Sequence, residues 1–406
     1  SLHDALPILR RWRATIGDVD VLVGSEDSAA VVDTFTGWPG ADSVIEAGES
    51  KASVRASGVR VDLRVIAPSE FGAALQYFTG SKDHNVAIRN RAIDRDLKVN
   101  EYGTFDVSEV DASADEARHE AGGQRAGTRV AGETEASMYA ALDLPWIPPE
   151  MREHRGEIEA AAADSLPDLL TSGDVRGDLH THTSWSDGKL SIEDHVAGAA
   201  EFGHEYVAIT DHATGPGMVG GLGVSDDDLR DQIDAVRAVA AAADIEVFSG
   251  VEANIGIDGD ISVADDVLAA MDCVIASPHA GLDGDGTERL LAAIEHPSVD
   301  VIGHPTGRLL NEREGLDVDV ERVATAAADH QTALEINANP ARLDLRGSAV
   351  QTAIEAGATI TINTDAHSPA AFDQMRYGVH TARRGWAEAA DVLNTWTAEE
   401  VRTFLD

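Results

Sequence analysis

The sequence is poor in several residue types, and each shortage argues against a class of protein. Its 406 residues contain one cysteine, Cys273, so no disulfide framework can form and a reducing compartment is expected. Cys273 lies within an apolar run and is predicted to be a core residue. No apolar run approaches the length of a membrane span, and no signal peptide is visible. These absences predict a cytoplasmic protein with no membrane partner.

Basic residues are also scarce. The chain has 31 lysines and arginines against 72 acidic residues, giving a formal net charge of −41. Only four of the basic residues are lysines, namely Lys51, Lys82, Lys98 and Lys189. Such acidity taken alone argues against a nucleic-acid partner, which normally demands a basic face. The alternative is adaptation to a cytoplasm rich in salt. This halophilic interpretation is preferred because the acidity is spread along the whole chain.

What the second half of the chain has instead is a series of short apolar runs that end in metal-binding residue types. His180 and His182 follow the first run and point the same way if it is a strand, because side chains alternate with period two. Asp187 follows in Ser-Asp-Gly. The other runs are 206–210 before His212, 246–251 before Glu252, 273–278 before His279, 299–303 before His304, and 359–364 before Asp365 and His367. A further run, 333–337, ends without a histidine.

Helix-period, alanine-rich segments separate these runs, at 228–243, 286–295, 319–330 and 347–356. Strands that alternate with helices predict a parallel sheet, and about seven units favour a closed βα barrel. In such a barrel the chemistry lies at the C-terminal ends of the strands, where all these residues fall. They therefore predict a metal cluster, and nitrogen and carboxylate ligands suit zinc, manganese or iron. The histidines in helical or loop contexts are expected at the surface or as caps: His3, His119, His154, His195, His204, His296, His330 and His380.

The order of these motifs resembles the PHP (polymerase and histidinol phosphatase) family of metal phosphoesterases over residues 173–406. The resemblance implies a distorted (βα)7 barrel with three Mn²⁺ or Zn²⁺ ions, whose ligands occupy all nine positions. His180, His182, Glu252 and Asp365 would hold one metal. Glu252 would bridge to a second metal held by His279 and His304, and Asp187, His212 and His367 would hold a third.

The first half offers a different constellation of carboxylates. Asp18 and Asp20 would lie on one face of a strand, and a second predicted strand, 59–65, offers Asp62. Carboxylates so placed can share divalent cations and hold nucleotide phosphates for in-line phosphoryl transfer. Asp-x-Asp alone is weak evidence in so acidic a chain, since Asp317 and Asp319 have the same spacing and are interpreted as a solvated turn.

Together with the segment from Tyr77 to Arg89, this set resembles the palm and thumb of family X DNA polymerases, in the nucleotidyltransferase superfamily. The resemblance implies Mg²⁺ or Mn²⁺ at Asp18, Asp20 and Asp62, and deoxynucleoside triphosphates as substrates. Further roles are implied for six residues: Arg10, Tyr77, Phe78 and Gly80 contact the incoming nucleotide, Asn85 the minor-groove edge of the new pair, and Arg89 the template. The expected fold is thus α/β and multidomain, an α+β palm and thumb followed by the PHP barrel.

The expected domains are a partial palm at 9–66, a thumb at 67–150 with a flexible insertion at about 106–137, a linker at 151–172, and the barrel at 173–406. Two features depart from the family pattern. The family has Gly-Ser before Leu-Arg-Arg, where this chain has Pro7 and Ile8. The domains that precede the palm in the family are also missing. Residues 1–8 are therefore interpreted as an artefact joined to a truncated gene, and impaired nucleotidyl transfer is predicted.

The combined resemblance implies a DNA repair enzyme whose barrel removes nucleotides from the 3′ end of gapped or 3′-recessed DNA. Arg308 is a candidate phosphate contact, with a surface salt bridge as the equal alternative. Two other functions stay open: a small-molecule phosphatase of the histidinol-phosphatase type, and a metal-stabilised module that only holds partners. Basic residues around the barrel mouth would favour DNA, whereas a closed pocket would favour a small ester.

Overall fold

The computed structural model describes residues 3–112, 117–217 and 222–406. The chain divides into two compact units between Leu166 and Pro167. This boundary falls within the linker predicted at 151–172. Met151 and Ile158, which belong to the first unit, and Leu170, which belongs to the second, are buried. Burial of these apolar side chains is favourable because it removes them from water.

The first unit begins with a mixed five-stranded sheet in the order β1-β2-β5-β4-β3, in which β2 and β5 are parallel neighbours. Leu22 and Val23 alternate across β2, so Leu22 joins an apolar cluster with Ala74 while Val23 packs in another with Val32. The strands are β1 (His3–Ala5), β2 (Val19–Gly24), β3 (Ser43–Ala47), β4 (Lys51–Ala56) and β5 (Val59–Ile66). Strand β1 lies in the segment interpreted as an artefact, yet it pairs antiparallel with β2.

A three-stranded antiparallel sheet, β6-β7-β8, and five α-helices complete the described part of this unit. Its elements are α1 (Ser28–Thr36), α2 (Phe71–Thr79), α3 (Lys82–Ile93), β6 (Leu97–Asn100), β7 (Gly103–Asp106), β8 (Thr128–Ala131), α4 (Glu135–Ala140) and α5 (Glu157–Ala162). Short 3-10 helices lie at Ile8–Arg11, Pro68–Glu70 and Pro149–Met151.

The insertion predicted to be flexible at about 106–137 contains regular structure in its described part. Strand β8 pairs with β7, and the Nζ of Lys98 donates a hydrogen bond of 2.6 Å to the carbonyl of Gly123. Ala121 is buried. Residues 113–116 of this segment lie outside the described residues. These long-range hydrogen bonds order part of a segment whose polar composition predicted flexibility.

The second unit is a nearly closed barrel of seven parallel strands in the order β15-β14-β13-β12-β11-β10-β9, which confirms the predicted (βα)7 fold. The strands are β9 (Gly177–Asp178), β10 (Tyr206–Ile209), β11 (Glu246–Asn254), β12 (Cys273–Ser277), β13 (Val301–Ile302), β14 (Ala333–Asn337) and β15 (Ile360–Asn363). The helices are α6 (Ile192–Phe202), α7 (Asp226–Ala240), α8 (Asp265–Leu268), α9 (Thr287–Ile294), α10 (Val320–His330), α11 (Gly347–Glu355), α12 (Met375–Arg384) and α13 (Ala398–Leu405). Short 3-10 helices lie at Pro369–Gln374, Ala389–Asp391 and Leu393–Thr395.

The barrel strands are apolar on both faces. In β12, Cys273 and Ile275 belong to an apolar cluster to which most of the strands contribute, and this cluster fills the barrel interior. Val274 and Ala276, on the other face, belong to the cluster that includes the surrounding helices. Cys273 is a buried free thiol, as predicted. The first and last strands meet through an isolated bridge between Thr181 and Ala366. Across the described ranges, no helix has both the length and the hydrophobicity that crossing a bilayer requires.

Candidate metal centre

The nine residues predicted as metal ligands lie together at the C-terminal ends of the barrel strands. Glu252, in β11, is the centre of this cluster. Its Oε1 lies 3.0 Å from His304 Nε2 and 3.3 Å from His279 Nε2. Its Oε2 lies 2.5 Å from His212 Nδ1 and 3.4 Å from His180 Nε2. One carboxylate thus faces imidazoles on both of its oxygens.

The remaining ligands flank this centre. His182 Nε2 lies 3.0 Å from Asp365 Oδ1, and His367 Nε2 lies 3.1 Å from Asp187 Oδ1. Among the residues that the structure describes, three groups have potential ligand atoms within 4.8 Å of one another: His180, His182 and Asp365; His212, Glu252 and His279; and His182, Asp187, His212 and His367. His182 and His212 each belong to two of these groups, so the three candidate sites adjoin one another.

The donor atoms fit divalent metals because many of them are buried without a hydrogen-bond partner. The atoms in this state include His180 Nε2, both ring nitrogens of His182, His212 Nδ1, Glu252 Oε2, His279 Nε2, His304 Nδ1 and Asp365 Oδ1. Buried polar atoms are normally hydrogen-bonded, so a convergent set of orphaned ones needs an explanation. A metal cluster requires nitrogen and oxygen atoms that point at a common position and are not occupied by hydrogen bonds.

The electrostatics keep the carboxylates ionised. Burial alone would raise the pKa of Glu252, but the imidazoles of His212, His180 and His279 hold it well below its ordinary value. Burial and His212 lower the pKa of His182 to about 4, so this ring is neutral at neutral pH. Asp187 has a pKa of about 2, because His367 outweighs the effect of burial. Anionic oxygens and a neutral imidazole are the forms that bind metal.

Several residues that sequence reasoning missed support these ligands. Glu335, on β14, accepts hydrogen bonds from His180 Nδ1 at 2.7 Å and from the backbone N–H of His304 at 2.6 Å. Asn254 Oδ1 lies 2.8 Å from His279 Nδ1, and the amide of Asn337 donates to Asp365 at 3.1 Å. Such outer partners orient metal-binding side chains. A glutamate inside the otherwise apolar run 333–337 was the available signal.

Two of the candidate ligands have strained backbones. His304 has a φ of 26° and Asp365 a φ of 55°, values that non-glycine residues rarely adopt. Strain of this kind concentrates at functional sites, where the surrounding structure enforces it. Here it directs both side chains toward Glu252 and His182.

Arg308, the predicted phosphate contact, is held by the protein itself. Its Nε donates to the carbonyl of Arg342 at 2.9 Å, and its Nη2 donates to the carbonyl of Leu343. The guanidinium beside the cluster is instead that of Arg342, whose Nε lies 3.8 Å from Asp365 Oδ2. Arg308 therefore supports the backbone of the arginine that reaches the centre.

A groove of about 980 Å³ adjoins this region. Three arginines line it, Arg308, Arg313 and Arg346, together with Thr306 and several apolar side chains. Its charge is mixed, because Glu312, Glu314, Asp317 and Asp344 line it as well.

Two histidines predicted at the surface are buried. His195 and His204 pack with their ring centroids 5.3 Å and 5.1 Å from that of Phe372, and burial lowers the pKa of each to about 4. The prediction was wrong because the helical period was overlooked. His195 follows Ile192 by three residues and lies on the same buried face of α6 as Ala199.

The palm carboxylates are brought together in the first unit. Asp20 and Asp62 are neighbours in the register of β2 and β5. Burial and the nearby charges of Asp18 and Asp62 raise the pKa of Asp20, and a divalent cation would relieve that repulsion. Asp62 also accepts hydrogen bonds from Arg60 at 2.9 Å and 3.0 Å and from Ser53.

The residues implied to contact nucleotide lie beside these carboxylates or on the next helices. Phe78 lines a cavity of about 210 Å³ with Asp20, Asp62 and Arg64, and the guanidinium of Arg64 lies 4.8 Å from its ring centroid. Tyr77 packs edge to face on Phe78 with ring centroids 5.2 Å apart. Three others are placed nearby along the chain: Gly80 between α2 and α3, Asn85 on α3 with its amide donating to the carbonyl of Tyr77 at 2.7 Å, and Arg89 exposed on α3.

Arg10 is occupied by a protein carboxylate. Its Nη1 and Nη2 donate to Glu135 at 3.0 Å and 2.7 Å, and Nη1 also donates to Thr79 at 2.9 Å. Arg152 and the indole of Trp146 also donate to Glu135. This arrangement differs from the nucleotide contact predicted for Arg10. Arg10 instead ties the start of the palm to α4.

The Glu135 cluster predicts a pH-dependent contribution to stability. Burial would raise the pKa of Glu135, but Arg10 and Arg152 lower it from 4.5 to about 2. The ion pairs therefore stabilise the fold above pH 4.5, and this contribution is lost as the pH falls toward 2. At neutral pH, Glu135→Gln is expected to lower the free energy of unfolding by about 3 kcal/mol. Urea unfolding of the full chain, followed by tryptophan fluorescence, would measure this difference.

A matched control is Glu159→Gln on the exposed side of α5. That variant should unfold like the unmodified chain at every pH. If Glu135→Gln costs as much near pH 2 as at neutral pH, the ionised carboxylate is not the source of the stability.

Comparison with known proteins agrees with both halves of this geometry. A family model of the DNA polymerase beta thumb matches residues 74–153, and one of the PHP domain matches residues 178–339. A DNA polymerase/3′-5′ exonuclease PolX from Bacillus subtilis is 38% identical over 98% of this chain and 67% of its own length. A probable phosphatase from Shewanella sp. strain ANA-3 is 33% identical over 47% of this chain and 75% of its own length. A crystal structure of Leishmania infantum polymerase beta aligns with a TM-score of 0.30 at 25% identity, covering 37% of this chain and 67% of that one.

The Bacillus subtilis similarity runs through both units, and the two family matches fall one in each unit. On this evidence the chain belongs to the PolX family, the family X DNA polymerases that carry a PHP domain.

Proposed function

We propose that the barrel hydrolyses phosphodiesters at the 3′ end of DNA, acting as a 3′-5′ exonuclease in DNA repair. The observation that carries this proposal is the gathering of eight nitrogen- and oxygen-bearing side chains around Glu252, in the same chain as a palm with three carboxylates. A barrel that acts on DNA ends gains from being joined to a unit that binds the same DNA. Gapped or 3′-recessed duplexes are the proposed substrates.

The cluster would hold three metals, with Mn²⁺ or Zn²⁺ favoured by its donors. His180, His182, Glu252 and Asp365 would bind the first. Glu252 would bridge to the second, which His279 and His304 complete, and Asp187, His212 and His367 would bind the third. When bound, these metals would neutralise charge on the phosphate and acidify the attacking water.

The chain's own residues would orient the phosphate. Arg342 reaches the centre beside Asp365, and a guanidinium can contact two phosphate oxygens at once. Arg308 would act indirectly, by holding the backbone carbonyls of Arg342 and Leu343. The groove lined by Arg308, Arg313 and Arg346 is large enough for an extended substrate, but Glu312, Glu314, Asp317 and Asp344 line it as well, so its charge does not by itself favour DNA over a small ester.

The palm would bind Mg²⁺ or Mn²⁺ at Asp18, Asp20 and Asp62 and transfer nucleotides from deoxynucleoside triphosphates. Two observations support a weak activity. Pro7 lines the cavity beside Asp20 and Asp62, and a proline has no backbone N–H to offer a triphosphate. Arg10 is held by Glu135. A cytoplasmic location stays a prediction.

A second candidate is a small-molecule phosphatase that uses the same metal cluster. It is favoured by the similarity of nearly half of this chain to a protein named a probable phosphatase. The two functions differ in their products, because one shortens DNA while the other releases phosphate from small monoesters.

The first experiment incubates the purified chain with manganese, in molar potassium chloride, with an end-labelled 3′-recessed duplex. Stepwise shortening from the 3′ end is expected, and a His180→Ala/His182→Ala variant should lose it. A parallel reaction with a small phosphate monoester measures phosphate release. Denaturing gels and phosphate detection give the two readouts.

Two controls define the outcome. His330→Ala, an exposed histidine at the end of α10, should shorten DNA normally. Asp18→Ala/Asp20→Ala should lose any nucleotide addition while the shortening persists. Release of phosphate from the monoester without shortening would replace the exonuclease proposal with the phosphatase.

A further inference from the structure

Asp187 stands apart from the other candidate ligands. The others lie in a strand or within four residues of a strand end, whereas Asp187 is nine residues beyond β9. Its side chain is also 31% exposed, the second highest of the nine after His367. A ligand on a loop needs other bonds to hold it in place, because the strand does not fix its position.

Those bonds converge on Asp211, a fully buried residue that follows β10. Its Oδ1 accepts from the backbone N–H of Thr183 at 2.7 Å, and from Ser186 through the hydroxyl at 2.5 Å and the N–H at 3.2 Å. Its Oδ2 accepts from the Thr183 hydroxyl at 2.6 Å and from Gln232 Nε2 at 2.6 Å. Four of these five bonds come from the loop that carries Asp187.

Other contacts also restrict the conformation of this loop. The N–H of Gly188 donates to the carbonyl of Thr183 at 2.9 Å, and a side chain on Gly188 would collide with the carbonyl of His182. Gln232, on α7, anchors the second oxygen of Asp211 from the helix side and is itself buried. Asp211 thus links α7 to the loop 183–188 without contacting a ligand atom in any of these bonds.

We propose that Asp211 is a positioning residue for the third metal, the one assigned to Asp187, His212 and His367. It fixes the loop 183–188 so that Asp187 faces His367, and it thereby sets the affinity of that site alone. Glu335 has the corresponding role for His180 and His304. The inference rests on the proposed function, since it assumes that the cluster binds three metals.

Asp211→Asn tests this role. The amide keeps the shape of the side chain but replaces one acceptor oxygen with an NH₂ group, which cannot accept from Thr183 or Gln232. The affinity of the third manganese site is expected to fall about 10- to 100-fold, while the other two keep theirs. Isothermal titration of the full chain with manganese, supported by electron paramagnetic resonance, measures each site without any reaction taking place.

Three further variants separate positioning from general stability. Asp272→Asn removes a carboxylate that accepts the N–H and hydroxyl of Ser249 at the other end of the strands, so it should leave all three affinities unchanged. Asp211→Asn/Gln232→Glu restores a donor facing an acceptor and should recover part of the lost affinity. Thr183→Val removes the hydroxyl that donates to Asp211 and accepts from the N–H of Trp185. A smaller weakening of the same site is expected even if Asp211→Asn does not fold.

The outcomes are distinguishable. An unmodified chain that binds no manganese overturns the proposed function together with the role of Asp211. Three unchanged sites in Asp211→Asn or in Thr183→Val overturn the role of Asp211 alone. Equal weakening of all sites, matched by Asp272→Asn, would make Asp211 a structural residue only.

Discussion

Glu252→Gln is expected to abolish 3′-end hydrolysis, with a fall in rate of at least about 10³-fold. The carboxylate faces His279 and His304 on one oxygen and His180 and His212 on the other. An amide would remove the negative charge and place an NH₂ group against imidazole nitrogens that must bind metal. Manganese binding by calorimetry should show the first two sites lost, and gel assays should show intact DNA.

The matched control for this change is Glu335→Gln. Glu335 is equally buried and contacts His180, but on the proposed assignment it binds no metal. Its loss should weaken manganese binding about 10- to 100-fold, and saturating manganese should restore the rate. If Glu252→Gln also recovers with added manganese, Glu252 is not the shared ligand.

The second large effect concerns salt. We expect the chain to be unfolded and inactive at low ionic strength and folded in molar potassium chloride. With 72 acidic and 31 basic residues, charge repulsion opposes the compact state. The screening length falls from about 10 Å at 0.1 M salt to about 3 Å at 1 M, which removes most of this repulsion. Far-ultraviolet circular dichroism and the DNA assay over a potassium chloride series would measure the transition.

Sucrose is the control for this experiment, because it favours compact proteins without screening charge. It should restore much less structure than potassium chloride at equal osmolality. A chain that is folded and fully active at low ionic strength would show that its acidity has another cause.

The barrel was predictable because its strands are short, apolar and regularly spaced. The runs before His212, Glu252 and His279 all became parallel strands, since apolar side chains on both faces can be buried only in a covered sheet. The helical segments were equally clear from their period. Both signals are local, so no knowledge of tertiary contacts was needed.

The proximity of the nine candidate ligands was predictable for the same reason, because the ends of parallel strands meet. The supporting residues were harder to find, since their partners are remote in sequence. Asp211 bonds to Thr183, 28 residues away, and Glu335 to His180, 155 residues away. Glu335 has a local signal, since it lies inside a largely apolar run, but nothing local indicates which partners Asp211 or Glu335 would bind.

Several predictions that differ from the structure concern charged side chains. Arg10 was an implied nucleotide contact, and Arg308 was a candidate phosphate contact with a surface salt bridge as the equal alternative. In the structure each donates to acceptors within its own unit. Likewise, the segment at 151–172 was predicted to be a linker, although its Arg152 and Glu157 are fully buried. Sequence composition cannot reveal that a charged side chain has a buried partner.

The first and last barrel strands meet along a narrow seam at the bridge between Thr181 and Ala366, and this seam has a consequence for synthesis of the protein. His180 and His182 lie on one side of this seam, Asp365 and His367 on the other, and the backbone N–H of Leu179 reaches Asn363 across 184 residues. A chain still on the ribosome therefore lacks two of the nine candidate ligands, Asp365 and His367, until nearly the whole barrel has been made. The ligand set is completed only when the last strand closes the barrel, so we expect a nascent or truncated barrel to lack the full metal centre.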